Sequence, residues 1–172
     1  MSLVVRPAVV DDADGIARVQ VLAWQGAYRG IMPAEFLDTL SVDERAADAR
    51  TVLSSASSGR ATLVGLVDDR IAGFIAVGWC RDDSIATEVS QLWALNVEPD
   101  AWGIGLGDLL ISAGTEQLRS FGRPEAVLWV VEANARARRF YERHGWTADD
   151  ASQALKIPGA PIEVRYERIV AS

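Results

Sequence analysis

The sequence predicts an α+β protein, an α/β sandwich in which helices flank a central mixed β-sheet. Three observations carry the prediction. Strand-like apolar runs and helix-period stretches follow one another roughly in the order β-α-α-β-β-β-α-β-α-β-β. The apolar and aromatic run Gln91-Leu92-Trp93-Ala94-Leu95-Asn96-Val97 leads through a proline turn into a glycine-rich loop and then a helix. The run Val127-Leu128-Trp129-Val130-Val131 is apolar enough to be buried on both faces, as central strands are. At 172 residues, with 49% apolar and 24% charged side chains, the chain is most simply one domain over 1–172, long enough for a substantial core.

The elements follow in order. Leu3-Val4-Val5-Arg6 is a short strand ending at Pro7. Asp11 and Asp12 stand where they can cap a helix whose face is Ile16, Val19, Ala23 and Ala27. Gly30 stops it, and Pro33 begins a short helix through Phe36-Leu37. Asp43 to about Leu53 is a further helix, and the small polar run Ser54 to Gly59 a loop. Thr62–Val67 and Ile71–Trp79 are strands joined as a tight hairpin at Asp68-Asp69-Arg70. Glu88 to Val97 is the next strand. The helix after the glycine loop carries its apolar residues at Leu106, Leu109, Leu110 and Ala113, and ends by Gly122. Ala126 to Val131 is a strand. Asn134 caps a helix with an inward stripe of Ala137, Phe140, Tyr141 and His144, ended by Gly145. Thr147 to Ala160 takes no assignment, and the alternation of Ile162 to Ile169 makes a final strand.

The glycine loop is the chemically informative stretch. Glu98-Pro99-Asp100 turns the chain, and Gly103, Gly105 and Gly107 then alternate with Ile104 and Leu106. A helix N-terminus offers unpaired N–H groups and the positive end of its dipole to an anion, and glycines let a phosphate approach the backbone. Three glycines also serve a tight turn and close helix packing, so the loop alone leaves both readings open. A Walker loop would need Lys-Ser or Lys-Thr where Asp108-Leu109 stands. A dinucleotide fingerprint would set its glycines directly after the strand, whereas five residues separate Val97 from Gly103.

Composition narrows the function classes. A formal charge of −7 argues against nucleic acid as a general partner and mildly favours a cationic amine. Cys80 is the only cysteine, so no intrachain disulfide forms, and its plainest role is a small buried hydrophobe. His144 is the only histidine, which leaves little for a His-rich metal site or a Ser-His-Asp triad. No 18-residue apolar segment and no signal-peptide pattern is seen, so no membrane partner and a cytoplasmic location are expected.

Two stretches together resemble a known family. Trp102-Gly103-Ile104-Gly105-Leu106-Gly107 resembles the first signature of the GNAT superfamily of acetyl-CoA-dependent N-acetyltransferases, Arg/Gln-x-x-Gly-x-Gly/Ala, with Trp102 in place of the usual Arg or Gln. Asn134, Ala137, Tyr141, Gly145 and Trp146 match the second, Asn-x-x-Ala-x-x-x-Tyr-x-x-x-Gly-aromatic. Trp24-Gln25-Gly26-Ala27-Tyr28-Arg29-Gly30-Ile31-Met32-Pro33 is similar to one subgroup, so the resemblance covers most of the chain up to Trp146. It implies a GNAT-like fold, acetyl-CoA as co-substrate with no metal, and transfer of the acetyl group to a primary amine of a small molecule or peptide in a ternary complex. A homodimer is expected by family analogy only.

The resemblance also implies roles. Main-chain groups of Leu95 and Val97 would run along the pantetheine arm. The turn of Trp102, Gly103, Ile104, Gly105, Leu106, Gly107 and Asp108 would cradle the pyrophosphate. Asn134 would contact pantetheine as well as cap its helix, and Arg138 would reach a phosphate unless it belongs, with Arg136, Arg139 and Arg143, to a solvated helix face. Tyr141 is the candidate acid for the departing thiolate, with a core aromatic as its other reading. The family often has an acid on the central strand about where Gln91 stands. Gln91 cannot take a proton but could orient a water. Glu88, the nearest upstream acid, points to the other face unless the strand bulges, and reads equally well as a solvated edge charge. Trp24 and Tyr28 would line the acceptor pocket or cap the core. A rival from another class, a non-catalytic acyl-CoA-binding or sensing module, needs the glycine loop but neither Tyr141 nor a base.

Overall fold

The computed structural model describes residues 1–55, 57–82, 85 and 88–171. Ala56, within the small polar run read as a loop, lies outside the described residues. Among the described residues seven strands form one sheet in the order β1-β2-β3-β4-β5-β7-β6. Strands β1 (Leu3–Pro7), β2 (Arg60–Val67), β3 (Arg70–Trp79) and β4 (Val89–Val97) pair in succession, each antiparallel to the next of these four. β5 (Glu125–Val131) joins β4 in parallel, and β7 (Ile162–Ile169) is inserted antiparallel between β5 and β6 (Thr147–Ala154). The expected α+β class with a mixed sheet is what the chain forms.

Helices cover both faces. α1 (Ala13–Tyr28) lies on β3 and β4, with α2 (Ala34–Asp38) and α3 (Val42–Ser54) beside it. α4 (Leu106–Ser120) lies on β2, β3 and β4 from the other side, and α5 (Ala135–Arg143) joins that layer through Ala137, Phe140 and Tyr141. The larger core, built around Ile75, Leu92, Leu106, Leu110, Leu118, Leu128 and Tyr166, sits between the sheet and α4 and α5. A smaller one, Ile16, Val19, Val64, Leu66 and Phe74, sits under α1. Close approach of α4 depends on small residues. A Cβ at Gly114 would come within 2.3 Å of Ile75 Cδ1, inside van der Waals contact.

The hairpin of β2 and β3 turns on Asp68 and Asp69, both at positive φ (45° and 68°), as a two-residue turn requires. Asp12 departs from expectation. Its carboxylate does not cap α1 but turns back, accepting from the Val9 N–H at 2.8 Å and pairing with both terminal nitrogens of Arg6. Thr147–Ala154, unassigned from sequence, is a strand despite its alanines and aspartates. β7 supplies its ladder, and the pairing shifts register between Ala148 and Ser152, where Asp150 has a φ of 67°.

Candidate active site

The sheet opens in the middle. β4 and β5 pair only from Val89 to Leu92 and from Glu125 to Leu128. Beyond these residues the strands separate, and a cleft of about 850 Å³ occupies the gap. The Glu98 N–H donates to the Ala72 carbonyl of β3. By strand periodicity Asn96 also faces β3, so Leu95 and Val97 turn their backbone groups to the cleft. The sequence-derived candidates Leu95 and Val97 therefore sit with main-chain groups on the opening. The Val97 carbonyl already accepts a 2.7 Å hydrogen bond from Trp102 Nε1.

Glu98 anchors the turn that follows. Its buried carboxylate lies between the guanidinium groups of Arg18 on α1 and Arg70 on β3. Burial, the largest influence, works to raise its pKa, but the hydrogen bonds from Arg70 and Arg18 outweigh it and hold the carboxyl below its usual range. A short 3₁₀ turn at Pro99–Ala101 leads to Trp102.

Gly103 and Gly105 have φ of 78° and 93°, and a Cβ on either would meet no heavy atom of the described residues within 4 Å. Gly105 is the N-cap of α4, and the helix makes its first bond from the Leu109 N–H to the Gly105 carbonyl. The N–H groups of Leu106, Gly107 and Asp108 precede that bond and lack intrahelical acceptors. The loop thus presents donors and the positive dipole end to open space. Gly103, Gly105, Gly107 and Asp108 line the cleft. The side chains of Ile104 and Leu106 do not; both pack into the core, so only their backbone could serve the loop.

α5 forms the opposite wall. Asn134 Oδ1 accepts from the Ala137 N–H at 3.1 Å, the cap expected from sequence, and Asn134 also lines the cleft. Tyr141 is 8% exposed and lines the cleft as well. Burial, with a smaller effect of Tyr28, raises its phenol well above the ordinary value, so it is a neutral donor. Trp24 and Tyr28 from α1 stand edge to face at 5.1 Å on the same cleft. Burial raises the Tyr28 phenol, with the Asn134 side chain working against it and Glu163 adding to it.

Three of the candidate residues stand outside the cleft lining. Arg138 does not face the cleft. Its Nε donates to the Tyr166 hydroxyl at 3.0 Å and its Nη1 to the Glu132 carbonyl. Arg136 and Arg143, seven residues apart and so on one helix face, line the cleft instead, with Arg136 stacked 3.4 Å over the Trp102 ring. Gln91 lies outside the lining because its Oε1 accepts from Arg81 N–H (3.3 Å) and Cys80 Sγ (3.6 Å) at the closed end of β4. Glu88 is exposed, one residue before β4, and also outside. The strand does bulge, but at Trp93, beyond both residues, so it does not bring them into the cleft. A residue that sequence reasoning missed, Glu163 of β7, does line it. Only its place in the alternation of β7 was visible beforehand.

No group of three or more His, Cys, Asp or Glu suited to a metal ion occurs among the described residues. None of the described helices is long and apolar enough to cross a membrane.

The comparisons with known proteins agree with this geometry. The chain is 36% identical over 91 residues to a mycothiol acetyltransferase of Beutenbergia cavernae, a match covering 53% of this chain and 30% of that protein. It spans less than a third of the mycothiol acetyltransferases it matches. An uncharacterized N-acetyltransferase of Bacillus subtilis is 26% identical over 130 residues, 76% of this chain and 72% of that one. Among solved structures, the PaiA N-acetyltransferase of Thermoplasma acidophilum in complex with coenzyme A has a TM-score of 0.76 at 20% identity, covering 98% of this chain and all of that one. The yncA protein of Salmonella typhimurium, solved with its cofactor acetyl-CoA, has a TM-score of 0.73 at 21% identity, covering 100% and 96%. At such identities these two likenesses speak for the fold. Residues 23–146, more than two thirds of the sequence, match the acetyltransferase (GNAT) family, and the chain belongs to it.

Proposed function

We propose that the protein transfers an acetyl group from acetyl-CoA to a primary amine, directly, with both substrates bound in the cleft. One observation carries the reading: the gap between β4 and β5 runs continuously from a cluster of free N–H groups at α4 to a buried, neutral phenol at Tyr141. The residues fit the co-substrate. The open space above Gly103 and Gly105 leaves room for a diphosphate against the backbone, and Arg136 and Arg143 add positive charge beside it. Leu95 offers the unpaired backbone groups that an amide-bearing arm would complete as an extra strand.

Acetyl-CoA supplies the activated acyl group as a thioester. The chain's residues do the rest. The walls of the cleft hold amine and thioester together, which removes most of the entropic cost of a bimolecular step. Backbone N–H groups facing the gap are suited to the carbonyl oxygen as it gains charge. Tyr141 donates its proton to the sulfur as the carbon–sulfur bond breaks. Cys80 lies away from the cleft, beside Gln91, so no acyl-enzyme is invoked.

The test is calorimetric titration with acetyl-CoA, with NADH as control, followed by thiol release on addition of amines. Saturable binding of acetyl-CoA but not NADH, with amine-dependent thiol release, is the expected result. Binding without release by any amine favours the sensing module. Folded protein that binds no acetyl-CoA refutes the assignment of the loop.

A further inference from the structure

The charged side chains that line the cleft divide into two groups by the residues they meet. Arg136 and Arg143 stand on α5 near the start of α4, and Asp108 there is held by His144 Nε2 at 3.1 Å. At the end marked by Tyr28, which stands edge to face with Trp24 and feels the Glu163 charge, the lining holds these two rings, Trp129 of the β5 stretch that pairs with β7, and one carboxylate, Glu163. β7 sets Glu163 opposite Val131 of β5 and Gln153 of β6. Gln153 Nε2 donates to Glu163 Oε2 at 3.1 Å, and Oε1 takes no hydrogen bond from the described residues. Among those residues no cation pairs with this carboxylate, although it is half-buried.

We propose that Glu163 receives the acceptor: its carboxylate holds the ammonium group of a primary amine with an apolar stem and takes the proton that must leave before nitrogen attacks. The inference rests on the acetyl-transfer reading above. An ammonium satisfies the free Oε1 and neutralises the half-buried charge, while the aromatic walls suit an alkyl or aryl stem. Among the cleft-lining residues at this end no cation stands ready for an acceptor's carboxylate, so simple amines are preferred over α-amino acids.

The step balances. The ammonium gives one proton to Glu163. The freed nitrogen lone pair forms the bond to the acetyl carbon, and the carbon–sulfur bond breaks. Sulfur takes a proton from Tyr141, which recovers one from the nitrogen as the amide forms. One proton, on Glu163, passes to solvent.

The groups around Glu163 permit this role. From α1, Tyr28 feels the Glu163 charge, and Tyr141 of α5 feels Tyr28 in turn. On β7 itself, Arg165 is two residues along but is paired with Asp149 of β6. β5 contributes Val131 and Trp129, neither titratable. Burial raises the Glu163 carboxyl above the usual range, and the Gln153 hydrogen bond only partly offsets it. A base poised nearer neutrality loses less rate to protonation mismatch.

The experiment compares wild type, E163Q and E163D with 1,4-diaminobutane and 2-phenylethylamine as acceptors. For E163Q, acetyl-CoA affinity by calorimetry should stay within about twofold of wild type. Its kcat/KM for amine should fall roughly 10²-fold, and the acidic limb of the pH–rate profile should vanish. E163D should keep that limb at reduced rate. E163Q with wild-type kcat/KM and an intact acidic limb overturns the proposal. Wild type that binds acetyl-CoA but acetylates neither amine also overturns it, while leaving co-substrate binding standing. Folded wild type that binds no acetyl-CoA overturns the reading beneath it.

Discussion

Replacing Gly105 with alanine separates what the glycine does for the fold from what it does for binding. Its φ of 93° lies in the left-handed region, where a Cβ crowds its own backbone. That conformation costs an L-residue about 1–2 kcal/mol. No heavy atom of the described residues lies within 4 Å of where the added methyl group would sit, so no packing clash with them adds to the strain. For a chain of this size the stability loss lowers Tm by about 3–6 °C. The methyl group also stands in the space from which a phosphate would reach the N–H groups of α4. Losing one hydrogen bond to a charged group is worth about 1.5–3 kcal/mol, or about 10- to 150-fold in Kd. Gly122 is the matched control. It too has positive φ (71°) with open space around it, but it lies beyond the far end of α4, away from the cleft. G105A and G122A should therefore melt at similar temperatures, while acetyl-CoA titration distinguishes them by at least tenfold. Equal affinity in the two variants would refute the role given to the loop.

Y141F removes the proton donor while keeping the ring. Turnover should fall roughly 10²-fold with acetyl-CoA affinity nearly unchanged, and unaltered turnover would exclude the acid role. E98Q should destabilise the protein by about 2 kcal/mol at neutral pH, since it strips the buried anion from two guanidinium groups that remain partly solvated. Because the folded carboxyl is held below its unfolded value, this contribution is complete above about pH 4.3 and lost as pH falls through the folded pKa. Urea melts from pH 7 to 3 should accordingly converge for wild type and E98Q at the acid end. G114A sets a methyl against Ile75 Cδ1 and should cost about 1 kcal/mol after the gain in helix propensity; adding I75V, which deletes that atom, should make the pair markedly non-additive in denaturant melts.

Local signals made much of the fold legible. Asp68-Asp69 between two apolar runs announced its hairpin, and Asn134 its helix cap, because both act within four residues of themselves. The glycine loop was legible for the same reason. What escaped were facts set by distant partners. The Thr147–Ala154 strand has weak intrinsic preference and exists through β7. Asp12 had two ways to satisfy its carboxylate, and Arg6 decided between them. Arg138 and Arg136 are alike in sequence, and only the position of Tyr166 tells which one turns from the cleft. Gln91 was placed by motif analogy, but its side chain is committed to Arg81 and Cys80. Glu163 reaches the cleft because β7 inserts between β5 and β6, an order that no local pattern encodes.

The parting of β4 from β5 has a consequence for how the molecule guards itself. A strand edge that lacks a neighbour is a template for pairing with another chain, and such edges are commonly protected by charge, proline or a bulge. This sheet has edges at β1 and β6, and it also carries bare edge along the gap in its middle. There the protection is enclosure. Helices α1 and α5 wall the gap, Trp93 bulges into its rim, and the Trp102 indole occupies the last carbonyl of β4. The interior edge is thereby open to a slender ligand yet shielded from a sister strand, and whatever completes its ladder also adds to the stability of the sheet.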